Sequence, residues 1–274
     1  MHRIKLRDKE ILCGDGELLS DVLIRAEVSA EHPCGGRGIC RKCVVKVNGR
    51  EELSCKYRVR SDIFLEIPER GEMVSETGAD MTGRRTENLC FALDIGTTTL
   101  ALALISLDEA EIINVITRTN PQRAFGADIM TRIDYCRKNS VKELNHVLIT
   151  EINKMLAEFS LPERDKKKLF VSGNTTMLHI FFGIDCSSIG TAPYTPAFLE
   201  SRSGSGESLG LAGISEAVSL PSISAFVGAD LVAGLNYVSK PSKGRYNLLV
   251  DLGTNAEVLL FSENSVLCTA AAAG

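Results

Sequence analysis

The chain has 274 residues, 44% apolar and 24% charged, an ordinary globular balance that excludes a disordered or low-complexity protein. Thirty-one Lys and Arg against thirty-five Asp and Glu leave a net charge of −4, the wrong sign for nonspecific nucleic-acid binding. The longest apolar stretch, Thr99 to Leu107, is far shorter than the ~20 residues that span a bilayer. The first residues run straight into charge, so a cytoplasmic chain with no membrane and no nucleic-acid partner is expected.

Ile4 and Leu6 alternate with charged residues, and Ile11-Leu12-Cys13 follows a charged turn, which predicts an antiparallel hairpin. Leu18, Leu19, Val22, Leu23 and Ala26 then recur at helical spacing. Val44 to Val47 reads as a strand, Asn48-Gly49 as a tight hairpin turn, and Glu51 to Cys55 as the returning arm. Ile63 to Ile67 is a last alternating strand, stopped by Pro68. Hairpin, helix and further strands in this order predict a small α+β unit of β-grasp type.

Nine cysteines without a secretory signal argue against a disulfide framework and for metal-binding or catalytic thiols. Cys34, Cys40, Cys43 and Cys55 crowd together, the first three on a loop with glycines at 35, 36 and 38. Four thiolates can hold Zn²⁺ or an iron–sulfur cluster. Structural zinc sites usually take two paired knuckles, whereas three cysteines on one glycine-rich loop suit a [2Fe–2S] cluster wrapped closely by backbone. The cluster is the favoured reading over zinc or an unligated loop. Arg37, Arg41 and Lys42 form either a solvated rim or a patch that docks an acidic redox partner or tunes the cluster potential. Cys13, Cys90, Cys136, Cys186 and Cys268 are isolated and expected to be small buried hydrophobes. The four-cysteine pattern resembles that of plant-type ferredoxins, with a short final gap similar to the ferredoxin module of succinate dehydrogenase subunits.

Residues 69–88 hold charge and glycine with few large apolar side chains, as in a polar linker. Beyond it, Cys90 to Leu100 contains Asp94, Gly96, Thr97, Thr98 and Thr99. A second stretch, Leu248 to Leu260, contains Asp251, Gly253, Thr254 and Asn255 in the same order. Each reads as a β-hairpin with Gly and Thr at its tip and an Asp at the end of its first strand. Backbone N–H groups and Thr hydroxyls at such tips donate to phosphate oxygens, while the Asp holds Mg²⁺ directly or through water. A facing pair could clamp the phosphates of ATP.

Between the hairpins, Glu111 to Thr119 reads as a strand, and Ala127 to Arg137 and Val141 to Phe159 as helices. Leu169 to Ser172 reads as a buried strand. Gly173 to Thr176 caps a helix from Met177 to Phe182, Val218 to Leu220 is a strand, and Val227 to Leu235 a helix. Lys166 to Lys168 is expected to be a solvated run and Ser201 to Gly210 a flexible loop. Asp230 is either a helix cap or an acid that orients an attacking water. Asn174 is divided in the same way between cap and cleft, Asp128 stands in the stretch Asn120 to Asp128, and His179 is expected to be a satisfied core histidine.

The layout resembles the superfamily of acetate and sugar kinases, chaperone ATPases and actin, built on a duplicated ribonuclease-H-like fold. The runs Asn120 to Asp128, Gly173 to His179, Phe226 to Asp230 and Asp251 to Asn255 further resemble the reductive activators of corrinoid proteins. That resemblance implies a β-grasp [2Fe–2S] ferredoxin domain at 1–68, a linker at 69–88, a first ribonuclease-H-like lobe of an actin-like ATPase domain at 89–244, and the start of an incomplete second lobe at 245–274. It implies that ATP with Mg²⁺ drives one electron from an upstream reductant, through the cluster, to the cob(II)alamin of a corrinoid (cobalamin-binding) protein. The final Ala-Ala-Ala-Gly is expected to open a segment leading to the adenosine-binding part, so the chain is expected to stop inside its second lobe. Two rival readings are an electron-transfer and docking module with a non-functional ATPase half, and an ATP-coupled activase for another low-potential acceptor.

Overall fold

Alternation of apolar and charged residues produces β1 (His2–Leu6) and β2 (Lys9–Cys13), an antiparallel pair in the computed structural model. The structure describes residues 1–6, 9–26, 28, 38, 43–67, 76–78, 88–161, 165–238, 246–253 and 255–272. The chain divides into two units, Met1–Glu72 with Pro121–Tyr135, and Met73–Asn120 with Cys136–Gly274.

In the first unit, β3 (Glu17–Leu18) leads into α1 (Leu19–Arg25), followed by β4 (Val44–Val47), β5 (Arg50–Leu53), β6 (Arg58–Val59) and β7 (Ile63–Glu66). The main sheet has the order β2-β1-β7-β4-β5, with β1 and β7 parallel and the other pairs antiparallel. Leu19, Val22 and Leu23 of α1 are fully buried in one cluster with Ile4, Ile11, Val45, Val47, Val59, Ile63 and Leu65. Asn48 (φ 51°) and Gly49 (φ 79°) make the left-handed turn between β4 and β5 that the Asn-Gly pair predicts. Asn48 also ties that turn to the next strand: its Oδ1 accepts from the Phe64 N–H at 2.8 Å.

The second unit begins with β8 (Glu76–Gly78) and continues through β9 (Leu89–Ile95), β10 (Thr99–Ser106) and β11 (Glu111–Thr119). α2 (Ile129–Lys138) begins in the Pro121–Tyr135 segment of the first unit and ends in the second, and α3 (Val141–Glu158), β12 (Lys167–Gly173) and α4 (Thr175–Phe181) follow. β13 (Ser203–Ser205), α5 (Gly206–Leu209), β14 (Ile214–Ser219) and α6 (Ala229–Val238) complete it before a terminal meander. The large sheet has the order β13-β14-β12-β9-β10-β11-β8. An antiparallel meander β9-β10-β11 continues into β12 and β14, both parallel to β9. This is the ribonuclease-H-like arrangement. β9 is central, with Phe91, Leu93 and Ile95 almost wholly buried. α3 buries Val141, Leu144, Leu148, Ile152 and Met155 at helical spacing.

β15 (Asn247–Leu252), β16 (Asn255–Phe261) and β17 (Val266–Ala272) form a separate antiparallel sheet. Leu259 and Phe261 lie in a cluster with Val227 and Leu231, while Leu248, Val250, Leu252 and Leu267 stay exposed. Period-two alternation explains the split: Leu249 sits between Leu248 and Val250 and therefore on the opposite face.

Two local expectations change, the linker and the Ser- and Gly-rich loop, while the lysine run is solvent-facing, His179 is a satisfied core histidine and four of the five isolated cysteines are buried as expected. Glu76–Gly78, inside the expected linker, pairs antiparallel with Asn114–Ile116, because the edge of β11 offers unpaired backbone groups. The Ser- and Gly-rich stretch from 201 to 210 is ordered as β13 and α5. Ser205 caps α5 by accepting from the Ser208 N–H at 3.1 Å, and Gly210 ends it at φ 70°. Lys167 and Lys168 belong to β12, and Lys168 pairs with Glu216 at 3.1 Å. Asp128 caps α2 by accepting from the Thr131 N–H at 2.8 Å. Just after that cap, Arg132 is completely buried. It donates to Gly126 O at 3.0 Å and Gln122 Oε1 at 3.1 Å, and burial lowers its pKa to about 9 against the opposing pull of Asp128. His179 is buried between Thr175 O (2.7 Å) and the Ala197 N–H (3.0 Å), and burial lowers its pKa. Cys13, Cys90, Cys136 and Cys186 are buried and Cys268 is half-buried.

Candidate functional site

The β4–β5 register aligns Val44 with Leu53, which brings Cys43 beside the turn that carries Cys55. The Ser54 N–H donates to Cys43 O at 3.0 Å, and Ser54 O accepts from the Ser20 N–H at the start of α1 at 3.0 Å. The two thiols are buried with Sγ atoms 3.2 Å apart. A tetrahedral thiolate centre has an S–S edge of about 3.8 Å, close to the separation of these two sulfurs. Cys34 and Cys40 lie outside the described residues.

In the second unit, Asp94 stands one residue from the end of β9, and Gly96, Thr97 and Thr98 form the turn into Thr99, the first residue of β10. Gly96 is required by crowding, since a Cβ there would lie 2.7 Å from Thr99 O. Two asparagines hold this turn. Asn120, fully buried just beyond β11, donates its side-chain amide to Gly96 O and its backbone N–H to Thr98 O, both at 2.8 Å. Asn174, just beyond β12, donates to Thr97 Oγ1 at 3.2 Å and accepts from the Met177 N–H at 3.0 Å. The parallel register of β9 and β12 pairs Ile95 with Gly173, so both chains leave the sheet side by side at their carboxyl ends. That is where ligands bind in open α/β sheets.

Gly228 closes the third side. A Cβ on it would run into Asn174 Cα and lie 2.7 Å from Gly173 O. Asp230 follows in the first turn of α6, its Oδ1 accepting from the Leu231 N–H at 2.9 Å. Asp251 lies in β15, Gly253 turns the chain by donating its N–H to Asn255 O at 2.9 Å, and Asn255 opens β16. Thr254 lies outside the described residues.

Asp94, Asp230 and Asp251 are within electrostatic reach of one another, and a fourth carboxylate, Glu257, joins them. Desolvation raises the Asp94 pKa to about 6, with Asp230 and Asp251 adding to the rise. Asp94 keeps a solvent-facing surface despite this desolvation. Loss of solvation, then Asp230 and Asp251, lifts Glu257 to about 7. Asp230 is also raised, first by desolvation and then by Asp251, against the Leu231 N–H. Sequence reading passed over Glu257. Its available signal was a lone acid inside the apolar run Ala256 to Leu260. Among the described residues no three His, Cys, Asp or Glu side chains are gathered closely enough to hold a metal alone. Such a set suits Mg²⁺, which takes one or two carboxylates and completes its shell with phosphate and water.

Residues 3–68 match the model described as 2Fe-2S iron-sulfur cluster binding domain, which assigns a [2Fe–2S] cluster to the first unit. Residues 89–239, more than half of the chain, match the model described as RACo middle region. Corrinoid activation enzyme RamQ of Eubacterium limosum is 24% identical over 92% of this chain and 58% of its own length. The [Co(II) methylated amine-specific corrinoid protein] reductase of Methanosarcina barkeri is 27% identical over 67% of this chain and 36% of its own. The chain thus spans under two thirds of either relative. A solved reductive activator for corrinoid, iron-sulfur protein superposes with a TM-score of 0.65 at 21% identity, covering 100% of this chain and 63% of that one, a likeness of fold. With a ferredoxin-type unit ahead of a ribonuclease-H-like lobe that matches from strand β9 to helix α6, the chain belongs to the RACo family.

Proposed function

We propose that this chain is the electron-transfer and phosphate-binding part of an ATP-dependent reductive activator of a corrinoid protein. The observation that carries the reading is the convergence of Asp94, Asp230, Asp251 and Glu257 beside a braced Gly-Thr turn, in a chain that also carries a ferredoxin unit. Similarity to RamQ and to the corrinoid protein reductase supports the choice of partner.

Cys34, Cys40, Cys43 and Cys55 would hold the cluster, Cys43 and Cys55 with their sulfurs already side by side. When bound, the [2Fe–2S] cluster supplies one electron at a time. An upstream reductant gives that electron, and the corrinoid cobalt takes it in passing from Co(II) to Co(I). Co(I) lies at lower potential than most cellular donors, so the transfer needs a second source of free energy, here the conversion of ATP and water to ADP and phosphate. A nucleotide does this by binding two conformations with different affinity.

The chain's part in the nucleotide step falls to the two hairpins. Gly96, Thr97, Thr98 and Thr99 on one side, and Gly253, Thr254 and Asn255 on the other, donate backbone and hydroxyl protons to phosphate oxygens. Asp94 and Asp251 hold Mg²⁺ directly or through its waters. Asp230 accepts hydrogen bonds from the attacking water and orients it. A cytoplasmic setting is part of this reading.

The test is anaerobic reduction of a Co(II) corrinoid protein by the cluster-loaded, prereduced chain, with and without Mg-ATP, followed by Co(I) absorbance and loss of the Co(II) EPR signal. Co(I) that accumulates only with Mg-ATP is expected. Equal reduction without nucleotide overturns the ATP-driven reading and leaves an electron-transfer module.

A further inference from the structure

Two of the cysteines outside the cluster motif meet each other. Cys136 lies near the end of α2 and Cys186 in the loop after α4, far apart in sequence and only 5% and 0% exposed. Both belong to the second unit. Their side chains are hydrogen-bonded, and that bond, then burial, pushes the Cys186 thiol up. Burial alone acts on the Cys90 thiol, as in an isolated core cysteine.

Among the described residues no His, Asp or Glu completes a metal-holding set of three with this pair, and two thiols fall short of the four ligands of a structural zinc. Two adjacent thiols can still give up two electrons together. The pair lies one layer beneath the surface, with Asp185 and Ser188 exposed beside one cysteine and Arg137, Lys138 and Asn139 beside the other. Local opening of the last turn of α2 or of the loop at 185–188 admits a small reagent without global unfolding.

We propose that Cys136 and Cys186 form a redox modification site, a dithiol that closes into a disulfide when a low-molecular-weight disulfide such as oxidised glutathione is in excess. With Cys186 held as the thiol, Cys136 attacks the reagent first as the thiolate, releasing one glutathione and leaving a mixed disulfide. Cys186 then loses its proton, attacks the Cys136 sulfur and expels the second glutathione. The two cysteines lose two electrons, the reagent S–S bond is reduced, and the two cysteine protons end on the two glutathione thiols. A [2Fe–2S] cluster passes one electron at a time, so this two-electron couple answers to a different signal, the thiol–disulfide poise of the surroundings. The new bond ties the end of α2 to the loop after α4, the helix whose N-cap Asn174 braces the Gly-Thr turn. The site does not depend on the nucleotide reading.

The experiment incubates the anaerobically purified, cluster-loaded chain with oxidised glutathione, blocks free thiols with iodoacetamide, and maps peptides by mass spectrometry without reductant, beside thermal melts. Wild type is expected to give one peptide pair linked through Cys136 and Cys186, two hydrogens lighter than its parts and separated by dithiothreitol. Its Tm is expected to rise by roughly 10 °C, the scale of closing a loop of roughly 50 residues in a chain of this size. Cys136→Ala and Cys186→Ala are expected to keep their iron and to lose both the link and the rise in Tm. Recovery of the two wild-type cysteines unlinked, or linked only after urea is added, overturns the proposal, and this readout needs no variant to fold. A rise in Tm that persists in both variants overturns it as well.

Discussion

Asp251 and Glu257 are direct partners across the β15–β16 ladder, so one short hairpin presents two carboxylates on the same face of its sheet. Like charges placed opposite each other are unfavourable unless a proton or a cation intervenes. Asp230 acts on both Glu257 and Asp94 and joins this pair to β9.

That arrangement makes stability depend on pH. Glu257 rises from 4.5 to about 7 and Asp94 from 3.8 to about 6, so the folded chain binds these protons more tightly than the unfolded chain. Their contribution is therefore fully present below the unfolded values and is lost as pH rises through about 6 to 7. Calorimetric melting of the nucleotide-free chain is expected to show a Tm that falls across this window. Glu257→Gln is expected to flatten the profile and raise Tm above about pH 7, whereas an unchanged profile would remove Glu257 from the cluster. Mg²⁺ is expected to restore Tm on the alkaline side, where the carboxylates are ionised.

The cysteines divide into two groups with different outcomes. Cys43→Ser and Cys55→Ser are expected to lose the iron, the acid-labile sulfide and the visible absorbance of the purified protein. Cys13→Ala and Cys90→Ala are expected to keep all three and to lower stability by about 1–2 kcal/mol through lost burial. Iron analysis beside a urea melt distinguishes the groups, and iron retained in Cys55→Ser would sink the ligand assignment.

Arg132 is a buried cation held by Gly126 O and Gln122 Oε1. Arg132→Met is expected to cost about 2–4 kcal/mol, because it leaves two buried acceptors without that donor. Chemical denaturation measures the loss. A neutral substitution would mean that both acceptors find other donors.

Gly228→Ala is expected to abolish Mg-ATP binding and lower Tm, since the new Cβ would meet the Asn174 backbone and the Gly173 carbonyl. Gly49→Ala, at a turn with open space around it, is expected to cost stability through its φ of 79° and to leave nucleotide binding intact. Titration of both variants separates damage at the phosphate turn from backbone strain elsewhere.

Period-two alternation carried β1, β7 and the β9–β11 meander into view from the residues alone, because one buried face imposes that pattern whatever the strands pair with. Asn48-Gly49 announced its turn for a similarly local reason, a backbone that needs positive φ. The stretch from 201 to 210 was illegible because Ser and Gly have no strong local preference, and only the free edge of β14 orders them. Residues 76–78 are an edge strand for the same reason.

What the sequence by itself determined is the inventory: four close cysteines, two Asp-Gly-Thr hairpins, and the helical and extended periods that build their scaffolds. Those are properties of spacing along the chain. Tertiary structure alone decided that Asn120 and Asn174 brace the same turn from beyond the ends of two different strands, and that Asp230 of α6 comes within reach of Glu257. A hydrogen bond or a charge interaction depends on distance in space, and strand register, not local propensity, brings those residues within reach.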